Sequence, residues 1–331
     1  MNILQKYIYP GKRMAIFFYL QGWLRELVPN AILRHKRKSL LKNWEKRDDA
    51  EYIRMRRDFY CREFCDSSLV ETSLDNANPK LVRFRDVKVG NFQSRYAIDA
   101  RRYLRYWSKD LKLLFQDGDI RKNPPLPTIL KARRIGEAGY DNSVILNLDS
   151  IRHFLNPHDT IPFQEKQSKL FFRGDIYDKP ARIEFFKLWA GHPLFDLGDT
   201  NHSHPSEWEA PFVSIPDHFR YKFILALEGY DVASSLQWIM ASNCVPVMPR
   251  PTAESWLMHS EMKPGLHYIE IAPDFHDAGE KMEYYASHPD EAEKIAMESK
   301  KWAQQFFDRK REKLISLLVI EKYLKQTDQL K

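Results

Sequence analysis

The chain has 331 residues, which is enough for two domains of roughly 150 residues each. Hydrophobic residues make up 43% and charged residues 29% of it, a globular composition that excludes a largely disordered protein. The net charge of +7 favours anionic partners, such as phosphorylated substrates or an acidic membrane surface. We expect no nucleic-acid binding, because no recognition module or zinc pattern accompanies the charge.

The first 75 residues are predicted to be helical and basic, with the basic residues concentrated between positions 35 and 57. Before this cluster, residues 14–28 contain an apolar run that falls short of the roughly 20 apolar residues needed to span a bilayer. No small-residue cleavage site follows, so we do not interpret the run as a secretory signal. Its apolar residues recur at helical spacing, which fits either a helix in a membrane interface or one docked on the protein's own core.

Strands alternate with helices through the rest of the chain, a pattern typical of parallel β-α-β units. The predicted strands are 81–89, 112–115, 144–148, 169–175, 194–199, 222–229, 244–249 and 267–271. The predicted helices are 97–113, 181–190 and 232–242, another that begins within 253–259, and the chain from Phe275 onward. A linker between two halves is expected at 156–169.

Cysteine and histidine usage predicts no metal site. The three cysteines offer no disulfide framework, and their odd number points to a reducing compartment. Cys61 and Cys65 lack a partner pair at zinc-finger spacing, and His202 and His204 lack a third ligand.

An acidic turn follows the strand at 112–115, with Asp117 and Asp119 on either side of a glycine. A strand that ends in such a turn is where an open α/β sheet exposes catalytic groups, and either aspartate can act as a general base. An aspartate pair at this spacing is also able to hold a metal-bound diphosphate. This pair is therefore the main objection to a reaction that proceeds without a metal ion.

An anion site is predicted where the strand at 169–175 ends in Arg173 and Gly174 and the next helix begins near Arg182. Two guanidiniums and a helix N-terminus would bind a diphosphate, and the glycine would let the backbone approach it. The simpler interpretation of Arg173 is a surface salt bridge to Asp175.

A second candidate site lies in the segment EGYDVASSLQW, residues 228–238. A glycine and small residues between a strand and a helix expose amide hydrogens at the positive end of the helix dipole, and Ser234 and Ser235 add hydroxyls. Further on, Glu254 is expected in the first turn of a helix, where a carboxylate either accepts the two hydroxyls of a ribose or caps the helix.

Between about 110 and 290, the order and spacing of these segments resemble glycosyltransferase family 90. This is the lipopolysaccharide A and capsule-associated protein family, which includes animal protein O-glucosyltransferases. The residues that carry the resemblance are KARRI (131–135), LFFRGD (170–175), YKFILALEGYDVASSLQWIMASNCVPVMP (221–249) and ESWLMHSEMKPGLHYIEI (254–271).

The resemblance implies an α/β fold of GT-B type with two Rossmann-like domains facing a cleft, metal-independent catalysis without a cofactor, and inversion at the anomeric carbon. It assigns the general base to Asp119, with Asp117 as the alternative, and diphosphate binding to Arg173, Gly174 and Arg182. The implied nucleotide site comprises Gly229, Val232, Ala233, Ser234, Ser235 and Glu254. Animal members carry an arginine in this loop that the sequence lacks, which leaves the identity of the donor open.

The predicted function is therefore an inverting transfer of a sugar, UDP-linked by expectation, from a nucleoside diphosphate to a hydroxyl of a lipopolysaccharide or lipooligosaccharide core. The alternative is a non-catalytic or sugar-phosphate-transferring component of a polysaccharide assembly complex. Since the chain shows no signal and few cysteines, it is similar to the bacterial branch, and we expect a cytoplasmic enzyme held peripherally at the anionic inner membrane.

The expected domain organisation follows the same resemblance. The segments are a basic helical extension at 1–75, an acceptor domain at 76–160, a nucleotide-sugar domain at 161–310 and a C-terminal helix at 311–331.

Overall fold

The computed structural model describes residues 11–64, 69, 79–148, 150–152 and 158–330. They form a mixed α/β protein that divides into two compact units, each assembled from separate stretches of the chain. Described residues within 15–151, 253–256 and 308–330 belong to the first unit, and those within 11–14, 152–252 and 257–307 belong to the second.

The first unit combines a small sheet with long helices. Its main sheet contains, in sheet order, β1 (Lys80–Arg83), β2 (Lys112–Phe115), β3 (Thr128–Leu130) and β5 (Ser143–Ile145). β1 is antiparallel to β2, whereas β2, β3 and β5 are parallel to one another. A second, two-stranded sheet pairs β4 (Ala132–Arg134) with β10 (Ala253–Ser255) in antiparallel register. The helices are α1 (Gly11–Glu26), α2 (Asn30–Leu41), α3 (Ala50–Tyr60), α4 (Ser94–Leu104) and α10 (Arg309–Gln326).

Helix α10 forms the centre of the first unit. Asp308 caps its start by accepting hydrogen bonds from the amides of Lys310 and Arg311 at 3.0 and 3.1 Å. The middle of the helix is apolar and buried, which explains why it is enclosed by other elements instead of lying on the surface. Near its end, the Tyr323 hydroxyl accepts a hydrogen bond from the Leu114 amide and donates one to the Pro127 carbonyl, each at 3.1 Å.

The second unit contains a parallel five-stranded sheet. In sheet order its strands are β7 (Phe195–Asp199), β6 (Gln167–Gly174), β8 (Tyr221–Leu225), β9 (Val245–Met248) and β11 (Ile269–Glu270). The helices are α5 (Pro180–Trp189), α6 (Ile215–His218), α7 (Leu236–Met240), α8 (Ala278–Ser287) and α9 (Pro289–Gln304). Strands of a parallel sheet read as continuous apolar runs when both faces are covered, as the wholly buried β9 does here.

The strand order of the second unit identifies where a ligand would bind. Numbered in chain order, the five strands lie in the sheet as 2-1-3-4-5, so successive strands are added first on one side of β6 and then on the other. The direction changes between β6 and β8. In open α/β sheets, ligands bind outside the carboxyl ends of the strands at this switch point.

Most predicted strands are confirmed, and the predicted helix within 253–259 is wrong. Its first residues form the short strand β10, which pairs with β4 of the first unit. The strand predicted at 81–89 ends at Arg83, where a 3₁₀ turn at Phe84–Asp86 begins. Across the described ranges, no helix has both the length and the apolar content to cross a bilayer.

Candidate active site

Arg182 lies at the switch point of the second unit. It is in the first turn of α5, and its Nη1 donates to the carbonyl of Asp175, just after β6, at 2.7 Å. Nη2 donates to the carbonyl of Leu227, just after β8, at 2.9 Å. The guanidinium therefore connects the two loops between which the strand order reverses.

The charge of Arg182 is not matched by an ion pair within the described part of the chain. Its Nε is buried and has no hydrogen-bond partner among the described residues. Burial lowers the pKa of the guanidinium, although the nearby Asp175 carboxylate opposes this effect. A partly buried cation held mainly by backbone carbonyls is a suitable group to bind an anionic ligand.

Gly229 lies next to this cation. A Cβ built at Gly229 would lie 3.6 Å from Arg182 Nη2 and 3.7 Å from the Cδ and Cε of Lys179. Sequence reasoning missed Lys179, although a lysine just before the helix that carries Arg182 was a usable signal. The loop after β8 thus approaches two cations where it has no side chain of its own.

Lys179 is oriented by Asp175. Its Nζ donates to the Asp175 carboxylate at 2.5 Å and to the Tyr177 carbonyl at 2.9 Å. Burial alone would raise the pKa of the Asp175 carboxyl, but hydrogen bonds from Lys179 and Asn201 outweigh it and hold that pKa below its ordinary value. Asp175 therefore positions this lysine, and it is not the partner of Arg173.

Arg173 and Arg182 lie on opposite faces of β6 and do not form a fork. The Arg173 guanidinium stacks over Phe171 at 4.5 Å, whereas that of Arg182 lies over Phe172 at 5.7 Å. Consecutive strand residues point to opposite faces of a sheet. Arg173 instead bonds the Asp196 carboxylate at 2.6 Å and the Asp196 carbonyl at 3.0 Å.

The packing of the Phe172 ring explains why position 174 is a glycine. A Cβ at this position would lie 2.9 Å from Cζ of Phe172, so the glycine makes room for the ring within its own strand. Its predicted contact with the diphosphate stays a prediction.

The loop predicted to bind the nucleotide lies between β8 and α7. Val232 and Ala233 are buried, whereas Ser234 and Ser235 are partly exposed and follow them directly. The helix predicted at 232–242 is limited to the five residues of α7. The serines therefore belong to the loop, where their hydroxyls can contact a ligand.

Asp119 and Asp117 differ in their partners within the first unit. Asp119 Oδ1 pairs with Nζ of the buried Lys131 at 2.7 Å, while 38% of the Asp119 side chain remains exposed. Asp117 accepts a hydrogen bond from the Gln93 amide at 2.6 Å, at the start of α4. Gly118 between them has φ of +88°, a left-handed conformation that suits glycine. Asp119 is thus the more exposed of the two and Asp117 contacts the start of α4, while the assignment of the general base stays a prediction.

Glu254 lies on β10 and is fully buried in an ion pair with Arg133. The Arg133 Nε atom is 2.6 Å from Glu254 Oε1, and both side chains have 0% exposure. The Tyr140 hydroxyl bonds the same carboxylate oxygen. The expectation that Glu254 caps a helix is wrong because this segment is a strand, and its proposed contact with a ribose remains a prediction.

Of the metal-ligand candidates, His202 and His204 contact other side chains and the Cys61 thiol is buried. His202 pairs with Glu209 at 2.6 Å, and the ring of His204 stacks on Tyr177 with centroids 3.8 Å apart. Burial raises the pKa of the Cys61 thiol to about 12, and Cys65 lies outside the described residues. Within the described ranges, no three His, Cys, Asp or Glu side chains are grouped as metal ligands would be.

The chain matches glycosyl transferase family 90 over residues 144–326. It is also 37% identical to O-glucosyltransferase LpsA of Dichelobacter nodosus over 231 residues, which are 70% of this chain and 72% of that protein. The chain belongs to glycosyltransferase family 90. It is therefore a glycosyltransferase, and the resemblance inferred from its motifs is confirmed.

The eukaryotic members of family 90 are more distant from this chain. Protein O-glucosyltransferase 2 of Danio rerio is 30% identical over 43% of the chain and 29% of its own length. Protein O-glucosyltransferase 1 of Homo sapiens is 25% identical over 41% of the chain and 36% of its own length. The chain thus spans about a third of these family 90 proteins.

Proposed function

We propose that this protein is an inverting glycosyltransferase that moves a sugar, most simply glucose from UDP-glucose, to a hydroxyl of a lipopolysaccharide or lipooligosaccharide core. The observation that carries the proposal is Arg182, whose guanidinium connects the loops after β6 and β8 beside Gly229. A cation at this position that pairs with no carboxylate of the described ranges suits the diphosphate of the donor.

In this proposal, the second unit binds the nucleotide sugar. Arg182 and Lys179 contact the diphosphate, which gains negative charge as the sugar leaves, and the loop from Gly229 to Ser235 contacts the nucleoside. Stabilising charge that develops in the transition state is the main route by which a protein accelerates such a reaction. In this proposal no divalent cation is required, because Arg182 supplies a positive charge that pairs with no carboxylate among the described residues.

The first unit supplies the general base. Asp119 accepts the proton of the acceptor hydroxyl as its oxygen attacks the anomeric carbon from the face opposite the diphosphate, which inverts the configuration. The ion pair with Lys131 fixes one carboxylate oxygen, and the partly exposed side chain can reach an acceptor. We propose that the two units are the Rossmann-like halves of a GT-B enzyme.

We also propose that α1 and α2 hold the enzyme peripherally at the cytoplasmic face of an anionic membrane. Gly22 packs α1 against Ile98, and Glu26 pairs with Arg101 at 2.5 Å, so the opposite face of the helix points outward. That face exposes large apolar side chains, with Trp23 at 71% and Leu27 at 77% exposure. The other members of the exposed apolar face are Ile16, Phe17, Leu20 and Leu24.

The charge of α2 complements such a membrane. Lys36 and Lys38 are exposed, and each would add on the order of 1 kcal/mol near acidic headgroups. Arg37 differs, because its guanidinium stacks over Trp107 at 4.0 Å and bonds the Tyr106 carbonyl. A lipid-anchored, phosphorylated acceptor would be presented at the same surface.

The decisive assay incubates the protein with a panel of nucleotide sugars, a lipooligosaccharide core acceptor and excess chelator. We expect release of uridine diphosphate and a β-linked product from an α-linked donor. Release of the nucleoside monophosphate would instead indicate sugar-phosphate transfer. Activity that disappears with chelator and returns with manganese would refute the metal-independent mechanism, and no turnover with any donor would refute the catalytic one.

A further inference from the structure

Gln237, near the start of α7, has a buried carboxamide with no intramolecular partner among the described residues. The residue is 2% exposed, and neither Oε1 nor Nε2 accepts or donates a hydrogen bond within the described chain. A carboxamide has two N–H donors and a carbonyl acceptor, and burial without hydrogen bonds is unfavourable for such a group. In a folded protein it is completed by a group from outside the chain, such as an ordered water or a ligand.

Helix geometry favours a position of this carboxamide beside the loop predicted to bind the nucleotide. Side chains in a helix tilt toward its N-terminus, so a residue covers the turn that precedes it. Gln237 is the second residue of α7, and the preceding turn contains Ala233 and Ser234. The same loop begins at Gly229, beside Arg182 and Lys179.

The chemistry of the missing partner follows from which atoms are unsatisfied. A diphosphate offers only acceptors at neutral pH, so it would satisfy Nε2 and leave Oε1 without a donor. A sugar hydroxyl or the imide of a pyrimidine base offers a donor and an acceptor together. Either would satisfy both atoms of the carboxamide.

We propose that Gln237 is a further donor-binding residue, which hydrogen-bonds a neutral hydroxyl or imide group of the nucleotide sugar and not its diphosphate. The inference rests on the proposed donor site of the second unit. In this proposal Arg182 binds the charged part of the donor, and Gln237 hydrogen-bonds a neutral polar group of it.

The test replaces Gln237 by methionine, an unbranched side chain of similar size that removes both polar atoms. The matched control is Ser299→Ala on α9, because that serine is also fully buried and its Oγ has no partner among the described residues. Titration calorimetry measures binding of UDP, UDP-glucose and inorganic pyrophosphate, and thermal denaturation measures stability.

We expect Gln237→Met to keep or raise the melting temperature, because it removes an unsatisfied buried amide. It should weaken binding of UDP or UDP-glucose by about 10-fold, which corresponds to about 1.4 kcal/mol, and leave pyrophosphate binding unchanged, since the lost hydrogen bonds go to a neutral group. Ser299→Ala should leave all three affinities unchanged. Equal losses for UDP and UDP-glucose assign the contact to the base or ribose, and a loss confined to UDP-glucose assigns it to the transferred sugar.

Two results would overturn the inference. One is an equal loss of affinity for pyrophosphate. The other is unchanged affinity for both nucleotides, and a lower melting temperature would then make Gln237 structural. If the wild-type protein binds neither nucleotide, the proposed donor site itself fails and this inference fails with it, whereas tight wild-type binding that the variant retains refutes this inference alone.

Discussion

Two buried arginines of the first unit and Arg182 of the second unit differ in what surrounds their charge. In the first unit, Arg56 forms a bidentate pair with Glu312 at 2.5 and 2.8 Å, and Arg133 pairs with Glu254 at 2.6 Å. All four of these side chains are buried. In the second unit, Arg182 bonds two backbone carbonyls and leaves Nε without a partner in the described chain.

The difference separates charges that hold the fold from a charge available to a ligand. A buried ion pair is costly to break, because removal of one partner leaves the other charged in a nonpolar environment. A guanidinium held by carbonyls keeps a net positive charge, which an anion can neutralise. We infer that arginine content alone does not identify a binding site, whereas the partner of each arginine does.

The largest expected effect is on the pair in the first unit. Glu254→Gln should lower the free energy of unfolding by about 3–5 kcal/mol, because Arg133 then remains buried without its counter-charge. Chemical denaturation measures this change. The double variant Arg133→Met/Glu254→Leu should lose less than the two single variants combined, since it removes both charges.

The same variant tests the ribose contact predicted for Glu254. If Glu254→Gln melts like the wild type but binds UDP more weakly, the carboxylate belongs to the nucleotide site and the comparison between the units breaks down at this residue.

The next effect concerns the general base. Asp119→Asn keeps the shape of the side chain and removes its basicity, so turnover should fall by roughly 100-fold or more while the affinity for UDP stays nearly constant. Asp117→Asn is the control, and it should cost at most about 1 kcal/mol of stability because its acceptor contact with the Gln93 amide can persist. An active Asp119→Asn beside an inactive Asp117→Asn would move the assignment to Asp117.

Sequence patterns predicted the strands of the second unit well. An apolar run such as 244–249 forms either a buried strand or part of a buried helix. A glycine or proline at the end of the run favours the strand. The same patterns failed at Glu254, because a strand of three residues depends on pairing with β4, more than a hundred residues earlier. Local propensity carries no information about such a distant partner.

The site was predictable at the level of residue types and not of their partners. In the sequence, Arg173 and Arg182 cannot be distinguished as cations, because spacing does not reveal which carboxylate lies next to each. Asp196 on the neighbouring strand β7 is 23 residues from Arg173 and pairs with it only through the sheet. The alternation of side chains between the two faces of β6 was a usable signal in the sequence. It places Phe171 and Phe172 on opposite faces of the strand, and each guanidinium packs over one of these rings.

The smallest effect concerns the exposed face of α1. Trp23→Glu should abolish binding to vesicles that contain anionic lipid while leaving the melting temperature unchanged, because this indole is 71% exposed. Co-sedimentation at low and high salt measures the binding, which should weaken as salt screens the lysines of α2. Intact vesicle binding with a lowered melting temperature would place Trp23 in the core of the protein.

The most direct test of the account compares Arg182→Ala with Arg173→Ala by calorimetric titration with UDP, with the melting temperature measured in parallel. We predict that Arg182→Ala weakens UDP binding by about 10- to 100-fold, as expected for the loss of a charge-assisted hydrogen bond to phosphate worth roughly 1.5–3 kcal/mol. Arg173→Ala should mainly lower the melting temperature, because it removes the partner of Asp196. Arg182→Ala that binds UDP like the wild type, beside an Arg173→Ala that does not bind it, would contradict the account.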